Sequence, residues 1–259
     1  MIIGKKIFEN YTYIMAIINL TPDSFWHESR ATADDVLFRV EKAIKDGAAV
    51  IDIGAQSTRP GHTEVSAEEE INRFERPLKL IKERFDVPVS VDTYYSESAA
   101  AALAIGADMI NDVWGLSRGG NMAEIIAKHG ASVCIMHNAK TPLSGDIWHP
   151  IKTFLKDRAE FAVASGIDKE KIILDGGIGF AKNREQNHEL LNGYEKLSDL
   201  GFPLLLGTSR KSMFGGNPED RLPQTLDSTR LAVRKNTLFV RVHDVKENAE
   251  VIKNEYERG

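Results

Sequence analysis

Ile14-Met-Ala-Ile-Ile-Asn-Leu-Thr-Pro-Asp-Ser-Phe-Trp-His-Glu-Ser-Arg30 sets the pattern for the whole chain. An uninterrupted apolar run ends at Asn19, and a polar loop with Thr21, Pro22, Asp23 and Ser24 follows. A helix-like segment comes next, over residues 33–47, and stops on a glycine after a lysine-bearing turn. An apolar, β-branched run without polar alternation reads as a strand buried on both faces, the mark of a parallel sheet.

Runs of the same kind recur at 50–54, 87–93, 109–113, 132–137, 171–177, 203–208 and 238–245, eight in all with the first. Helical patterns lie between and after them, at 96–105, 121–129, 150–165, 183–200, 224–235 and 246–258. Ser66 and Glu69 read as a capping box that opens a further helix toward Phe85. Eight strand–helix units without a break in composition argue for an α/β fold, a (β/α)8 TIM barrel forming a single domain over residues 1–259. An open doubly wound sheet would collect its ligand groups at one switch point, whereas polar residues here follow nearly every strand.

A chain of 259 residues with 42% hydrophobic and 27% charged content suits one large soluble barrel. A net charge of −5 weighs against nucleic acid as a partner, but leaves room for a basic pocket around a small anion. The single cysteine, Cys134, lies in an apolar run and reads as a small core residue. No stretch approaches the ~20 apolar residues of a membrane span, so a cytoplasmic enzyme with no membrane contact is expected.

The chemistry of such a barrel sits at the C-terminal ends of its strands. Those ends carry Asn19, Asp52, Asp92, Asn111 with Asp112, His137, Asp175, Ser209-Arg210-Lys211, and Arg241 with His243. Each has a bland alternative. Asp52 and Asp112 suit N-caps, His137 a satisfied core histidine, and Ser209-Arg210-Lys211 a solvated turn. Their joint arrival at one mouth is harder to dismiss. Asp92, Asn111 and Asp175 match the donor-rich edge of a planar, nitrogen-rich heterocycle, and Lys211 its ring acceptors. Arg241, His243, Asn19 and Arg59 offer donors to phosphate. Arg241 and His243, two apart, share a strand face. Gly177 and Gly179 allow close backbone approach. No cluster has the spacing of a tight metal site, whereas Mg2+ carried mainly by a ligand's phosphates needs none.

At these positions the chain resembles the dihydropteroate synthases along essentially its whole length. The resemblance rests on Asn19-Leu-Thr-Pro-Asp-Ser-Phe25, Ser57-Thr-Arg-Pro-Gly61, Ser90-Val-Asp-Thr93, Ile110-Asn-Asp112, Met136-His137, Asp175 with Gly177-Ile-Gly-Phe180, Ser209-Arg-Lys-Ser212 and Arg241-Val-His-Asp244. It implies a transferase, usually a homodimer, and the target of sulfonamides. That enzyme joins 6-hydroxymethyl-7,8-dihydropterin diphosphate to 4-aminobenzoate in folate synthesis, by a Mg2+-assisted dissociative displacement. Carried over, it implies a pterin site of Asp92, Asn111, Asp175 and Lys211. Asn19, Arg241 and His243 become the diphosphate site, with Asn19 also the ligand to Mg2+. Thr58, Pro60, Phe180 and Ser212 become the 4-aminobenzoate site. Asp23 and Arg59, on two mobile loops, join Lys211 as catalytic residues.

The chain also departs from the family's pattern. Residues 26–30 replace a Ser-Asp-Gly-Gly, Gly176 stands where proline is usual, and Gln56 stands for glutamate. The segment after His137 and the link 214–223 are short, and Asn236-Thr237 replaces Gly-Ala. Differences from other members are therefore expected in aminobenzoate and sulfonamide recognition more than in pterin binding. Two other readings compete: a barrel of the methyltetrahydrofolate methyltransferase type, and a non-catalytic pterin-binding paralogue. Neither has reason to keep Lys211, Arg241 and His243 together with Asp23 and Arg59.

Overall fold

The computed structural model describes residues 1–20, 30–56, 64–118 and 120–258. A short antiparallel hairpin, β1 (Ile2–Ile3) and β2 (Lys6–Ile7), opens the chain. The barrel strands are β3 (Tyr13–Asn19), β4 (Ala48–Gly54), β5 (Val89–Asp92), β6 (Met109–Asp112), β7 (Ser132–Met136), β8 (Ile172–Asp175), β9 (Leu205–Leu206) and β10 (Phe239–Val242). Around them, among the described residues, lie α1 (Arg30–Lys45), α2 (Ala67–Arg84), α3 (Ser96–Ile105), α4 (Met122–His129), α5 (Trp148–Ala164), α6 (Arg184–Asn192), α7 (Leu222–Arg234) and α8 (Val245–Arg258).

The strand order is β8-β7-β6-β5-β4-β3-β10-β9, and the pairings are parallel throughout. A parallel bridge from Leu174 to Leu204 closes the ring between β8 and β9. The fold is thus the expected (β/α)8 barrel, with a strand at each expected run. Strand periodicity splits the core in two. Outward residues such as Ile14, Ile18, Ile51, Ile53, Val89, Val91 and Ile135 pack under the helices. Inward residues Met15, Val50, Met109, Cys134, Ile173, Leu205 and Phe239 form a floor inside the barrel. The hairpin covers that floor: Ile3 and Phe8 join it, and the Phe8 ring meets Phe239 edge-on at 5.1 Å.

Three local expectations change. The helix expected over 183–200 breaks at Gly193 into α6 and a 3-10 turn, Tyr194–Leu200. A Cβ at Gly193 would lie 2.7 Å from the Trp148 ring, so glycine there admits the close approach of that indole at the break. Ser66 does cap α2, accepting the Glu69 N–H at 3.1 Å, but the Glu69 carboxylate pairs with Arg73 at 2.9 Å instead of reaching back. The complete capping box is at Asn183 and Gln186, opening α6. The run at 203–208 contributes only two residues to the ladder, because the ring closes there through a single bridge.

Phe239 is fully buried at the centre of the floor. Phe239→Ala should lower the unfolding free energy by about 3–5 kcal/mol, the usual cost of a phenyl-sized core cavity. Urea denaturation followed by far-UV circular dichroism measures it.

Candidate active site

Two residues above the floor, the inward side chains turn polar. Asp52 follows Val50, Asn111 follows Met109, Asp175 follows Ile173 and Arg241 follows Phe239. Asp92, at the end of β5, stands on the same inner wall. Arg241 lies between two of these carboxylates: its Nε donates to Asp52 Oδ2 at 2.6 Å and its Nη2 to Asp92 Oδ2 at 2.7 Å. Asn111 Nδ2 donates to Asp52 Oδ2 at 3.3 Å. Asp52 is therefore no N-cap. It lies within β4, fully buried, because an inward position on a barrel strand faces other strands and no helix terminus.

This cluster is short of hydrogen bonds. Asp52 Oδ1, Asp92 Oδ1 and Ser90 Oγ are buried without partners among the described residues. Buried acceptors left in that state are costly, so the site is suited to a ligand that brings donors. Burial raises the Asp92 pKa; Arg241 opposes this and the Asp52 carboxylate reinforces it. Burial works against the Arg241 charge, but Asp52 and Asp92 outweigh it and hold its pKa above the ordinary value.

On the opposite wall, Asp175 Oδ1 accepts the Gly177 N–H at 2.8 Å and lies 3.1 Å from Tyr194 Oη. Burial raises its pKa, against the pull of Lys211 and these donors. Lys211 Nζ donates to the Ile178 carbonyl and stands 4.8 Å from the Phe180 ring centre. Burial lowers its pKa to about 8, partly offset by Asp175. Phe180 packs with Tyr94, Val113 and Met136 in a small apolar cluster beside the polar groups. The mouth thus pairs hydrogen-bonding groups with an apolar wall, as binding a flat heterocycle requires.

Lys182 holds this region in place. Its Nζ lies 2.9 Å from the carbonyls of Gly177 and Phe180 and 3.0 Å from His137 Nδ1. Gly177, Gly179 and Ala181 all have positive φ, and a Cβ on Gly177 would lie 1.9 Å from the His137 carbonyl oxygen. Only glycine fits at 177. His137 is the satisfied core histidine of the bland reading: it is buried, with its ring edge-on to Phe154. Burial and the Lys182 ammonium push its pKa down to about 3. Burial likewise lowers Lys182 to about 7, with Asp175 opposing.

The Ser209-Arg210-Lys211 turn is tied rather than merely solvated. Ser209 Oγ lies 2.9 Å from His243 Nδ1, and Arg210 grips the Asp244 carboxylate with two donors, Nε at 2.9 Å. The link after β9 is thereby locked to the link after β10. His243 lies one residue beyond β10 and turns to Ser209, while Arg241 turns to the carboxylates. Asp112 accepts the N–H groups of Trp114 and Leu116 at 2.8 and 2.7 Å, so it shapes the turn after β6 and is not an N-cap; the residue that precedes α4 is Asn121. Asn19 ends β3 opposite Gly54 of β4. Ser212 is exposed on the turn after Lys211. Asp23, Thr58, Arg59 and Pro60 lie outside the described residues.

Lys182 and Tyr194 escape a reading from strand ends alone. Lys182 sits in a polar stretch, and Tyr194 inside an expected helix; neither position signals that it turns toward the mouth.

A family model described as "Pterin binding enzyme" matches residues 15–243. A dihydropteroate synthase of Clostridium beijerinckii is 44% identical over 98% of this chain and 97% of its own length. One from Streptococcus pyogenes is 42% identical over 97% of each. Among solved structures, a Clostridium difficile dihydropteroate synthase crystallised in the presence of pteroic acid is 43% identical. It superposes with a TM-score of 0.93, covering 97% of this chain and 98% of that one. A Xanthomonas albilineans dihydropteroate synthase with 4-aminobenzoic acid is 33% identical with a TM-score of 0.90, covering 96% of this chain and 93% of that one.

His137 is held neutral in the fold, with a pKa depressed to about 3. Its contribution to stability is complete above its unfolded value, about 6.5, and is lost as pH falls toward 3. The stability advantage of the wild-type protein over His137→Gln should therefore shrink by up to about 1.4 kcal/mol per pH unit between about pH 6 and 4. Urea titrations at several pH values measure it.

Proposed function

The chain belongs to the dihydropteroate synthase family of pterin-binding enzymes, and we propose that it joins 6-hydroxymethyl-7,8-dihydropterin diphosphate to 4-aminobenzoate. The observation that carries this reading is the convergence of Asp92, Asn111, Asp175, Lys211 and Arg241 on one barrel mouth beside the Phe180 wall. Asp92, Asn111 and Asp175 take the donors of the pterin edge, and the orphaned Asp92 Oδ1 is the acceptor ready for them. Lys211 donates to the ring acceptors. Two of the five Arg241 donors serve Asp52 and Asp92; the others, with His243 and Asn19, take the diphosphate.

The bond from the pterin methylene carbon to the diphosphate oxygen breaks, a bond from that carbon to the aniline nitrogen forms, and the nitrogen loses a proton. Arg241 and His243 stabilise charge as it builds on the leaving oxygen. Asp92 and Asp175 supply negative potential beside the cationic pterin. The aniline is a weak nucleophile and needs positioning, which falls to Phe180 and Ser212 together with Thr58 and Pro60. Asp23 and Arg59 complete the proposed set and exclude water from the cation. A sulfonamide would compete at the aminobenzoate position.

Asn19 is the one protein donor proposed for Mg2+. Among the described residues no three His, Cys, Asp or Glu side chains gather as a metal site. A single hard amide oxygen fits an ion held mostly by substrate phosphates and water. When bound, Mg2+ supplies further neutralisation of the diphosphate. A cytoplasmic homodimer completes the proposal; none of the described helices is long and apolar enough to cross a membrane.

Purified protein given the pterin diphosphate, Mg2+ and 4-aminobenzoate should release dihydropteroate and diphosphate; no product from folded protein would reject the reading. Lys211→Ala should lose that activity with its circular dichroism unchanged. Asp92→Asn should abolish pterin binding by calorimetry, and unchanged affinity would remove Asp92 from the site.

A further inference from the structure

Tyr194 is a fully buried phenol at the start of the 3-10 turn Tyr194–Leu200. Its hydroxyl meets three groups. It lies 3.1 Å from Asp175 Oδ1, accepts the Gly176 N–H at 3.0 Å, and reaches the Leu205 carbonyl. These groups span the seam of the barrel, the end of β8 and the start of β9. There the ladder is reduced to the Leu174–Leu204 bridge, one of whose bonds runs from Leu174 N to the Pro203 carbonyl at 3.0 Å. A hydroxyl at that seam restores a connection that the strands do not make.

The Gly176 donor depends on the residue type, since proline at 176 would have no N–H to give. With that N–H occupying the phenol oxygen, the phenol proton is left to point outward to an acceptor. One proton cannot serve both Leu205 and Asp175. The Leu205 carbonyl is the nearer acceptor; while Asp175 is ionised its carboxylate is the stronger. The Gly177 N–H donates to the same Oδ1 at 2.8 Å. Both scaffold donors therefore fall on one oxygen. The other, Oδ2, is turned toward Gly207, 3.7 Å from where a Cβ there would stand.

We propose that Tyr194 is a positioning residue for the Asp175 carboxylate, fixing Oδ1 to the scaffold so that Oδ2 is presented to the pterin. The assignment rests on the reaction proposed above. Tyr194 touches no substrate; it acts through Asp175. Without the hydroxyl, Oδ1 keeps a single donor, the carboxylate gains rotational freedom, and the Gly176 N–H loses its acceptor.

Tyr194→Phe removes one oxygen and keeps the ring, so the core packing survives. Calorimetry with the pterin diphosphate should show affinity weakened by about tenfold or more. The KM for 4-aminobenzoate should move by less than about threefold, because Phe180 packs against Tyr94, Val113 and Met136 and not against the Tyr194 hydroxyl. Asp175 faces Lys211, Lys182, Arg241 and Cys134 as well as Tyr194. With those unchanged, loss of one donor to the ionised form should move the acid limb of pterin affinity to higher pH. Leu197→Ala serves as the control: Leu197 is buried in the same turn and makes no hydrogen bond to Asp175 through its side chain, so it should lower Tm while leaving pterin affinity in place. Pterin affinity of Tyr194→Phe within about twofold of wild type, or an equal loss in Leu197→Ala, would overturn the proposal. If wild-type protein itself makes no dihydropteroate, the reaction is rejected; if it does and Tyr194→Phe binds pterin normally, the positioning role alone is rejected.

Discussion

Arg241 stands inside the barrel with Asp52 on one side and Asp92 on the other, and the polar layer of the site depends on that arrangement. Two carboxylates on adjacent parallel strands repel each other, and burial penalises each charge further. A guanidinium suits the gap because its donors are spread in a rigid plane and reach both acids at once. Removing one member of such a set leaves an uncompensated buried charge, typically a loss of about 3–5 kcal/mol. The layer is also incomplete by itself. Asp52 Oδ1, Asp92 Oδ1 and Ser90 Oγ have no partner among the described residues, which leaves them open to donors from outside the chain.

The rest of the mouth is arranged so that these acids keep their geometry. The links after β9 and β10 are stitched together by Ser209 with His243 and by Arg210 with Asp244. On the far side Lys182 fastens the turn bearing Phe180, and Tyr194 crosses the seam to Asp175. Each tie joins a residue following one strand to a residue following, or supporting, another. The apolar floor beneath, from Met15 to Phe239, gives these ties a fixed base.

Much of this was legible in the chain. The barrel strands are buried on both faces, so each appears as a nearly unbroken apolar run, and the polar residue ending the run marks the mouth. Asn19, Asp92, Asn111, Asp175, Arg241 and His243 all stand at or next to the ends of such runs. Asp52 is visible as a polar residue in an apolar run, but a strand-end acid and a helix cap look alike in one dimension, and only its contacts with Arg241 and Asn111 separate the two. The close approach of Trp148 to Gly193 at the helix break is hidden too, since the two are distant in sequence.

The sequence by itself determined the number and order of strand–helix units, the rim of residues they carry and the family to which the chain belongs. Only the tertiary structure decided the partners: that Arg241 joins Asp52 and Asp92, that Lys182 turns inward to His137, and that Tyr194 serves Asp175. The physical reason is one of range. Burial repeats along the chain with the period of its secondary structure, so it leaves a pattern that can be read in order. A hydrogen bond depends on a fit of tenths of an ångström between groups that may be far apart in sequence, as Arg241 and Asp92 are at 149 residues. No local pattern carries that information, and the closed ring of strands supplies it.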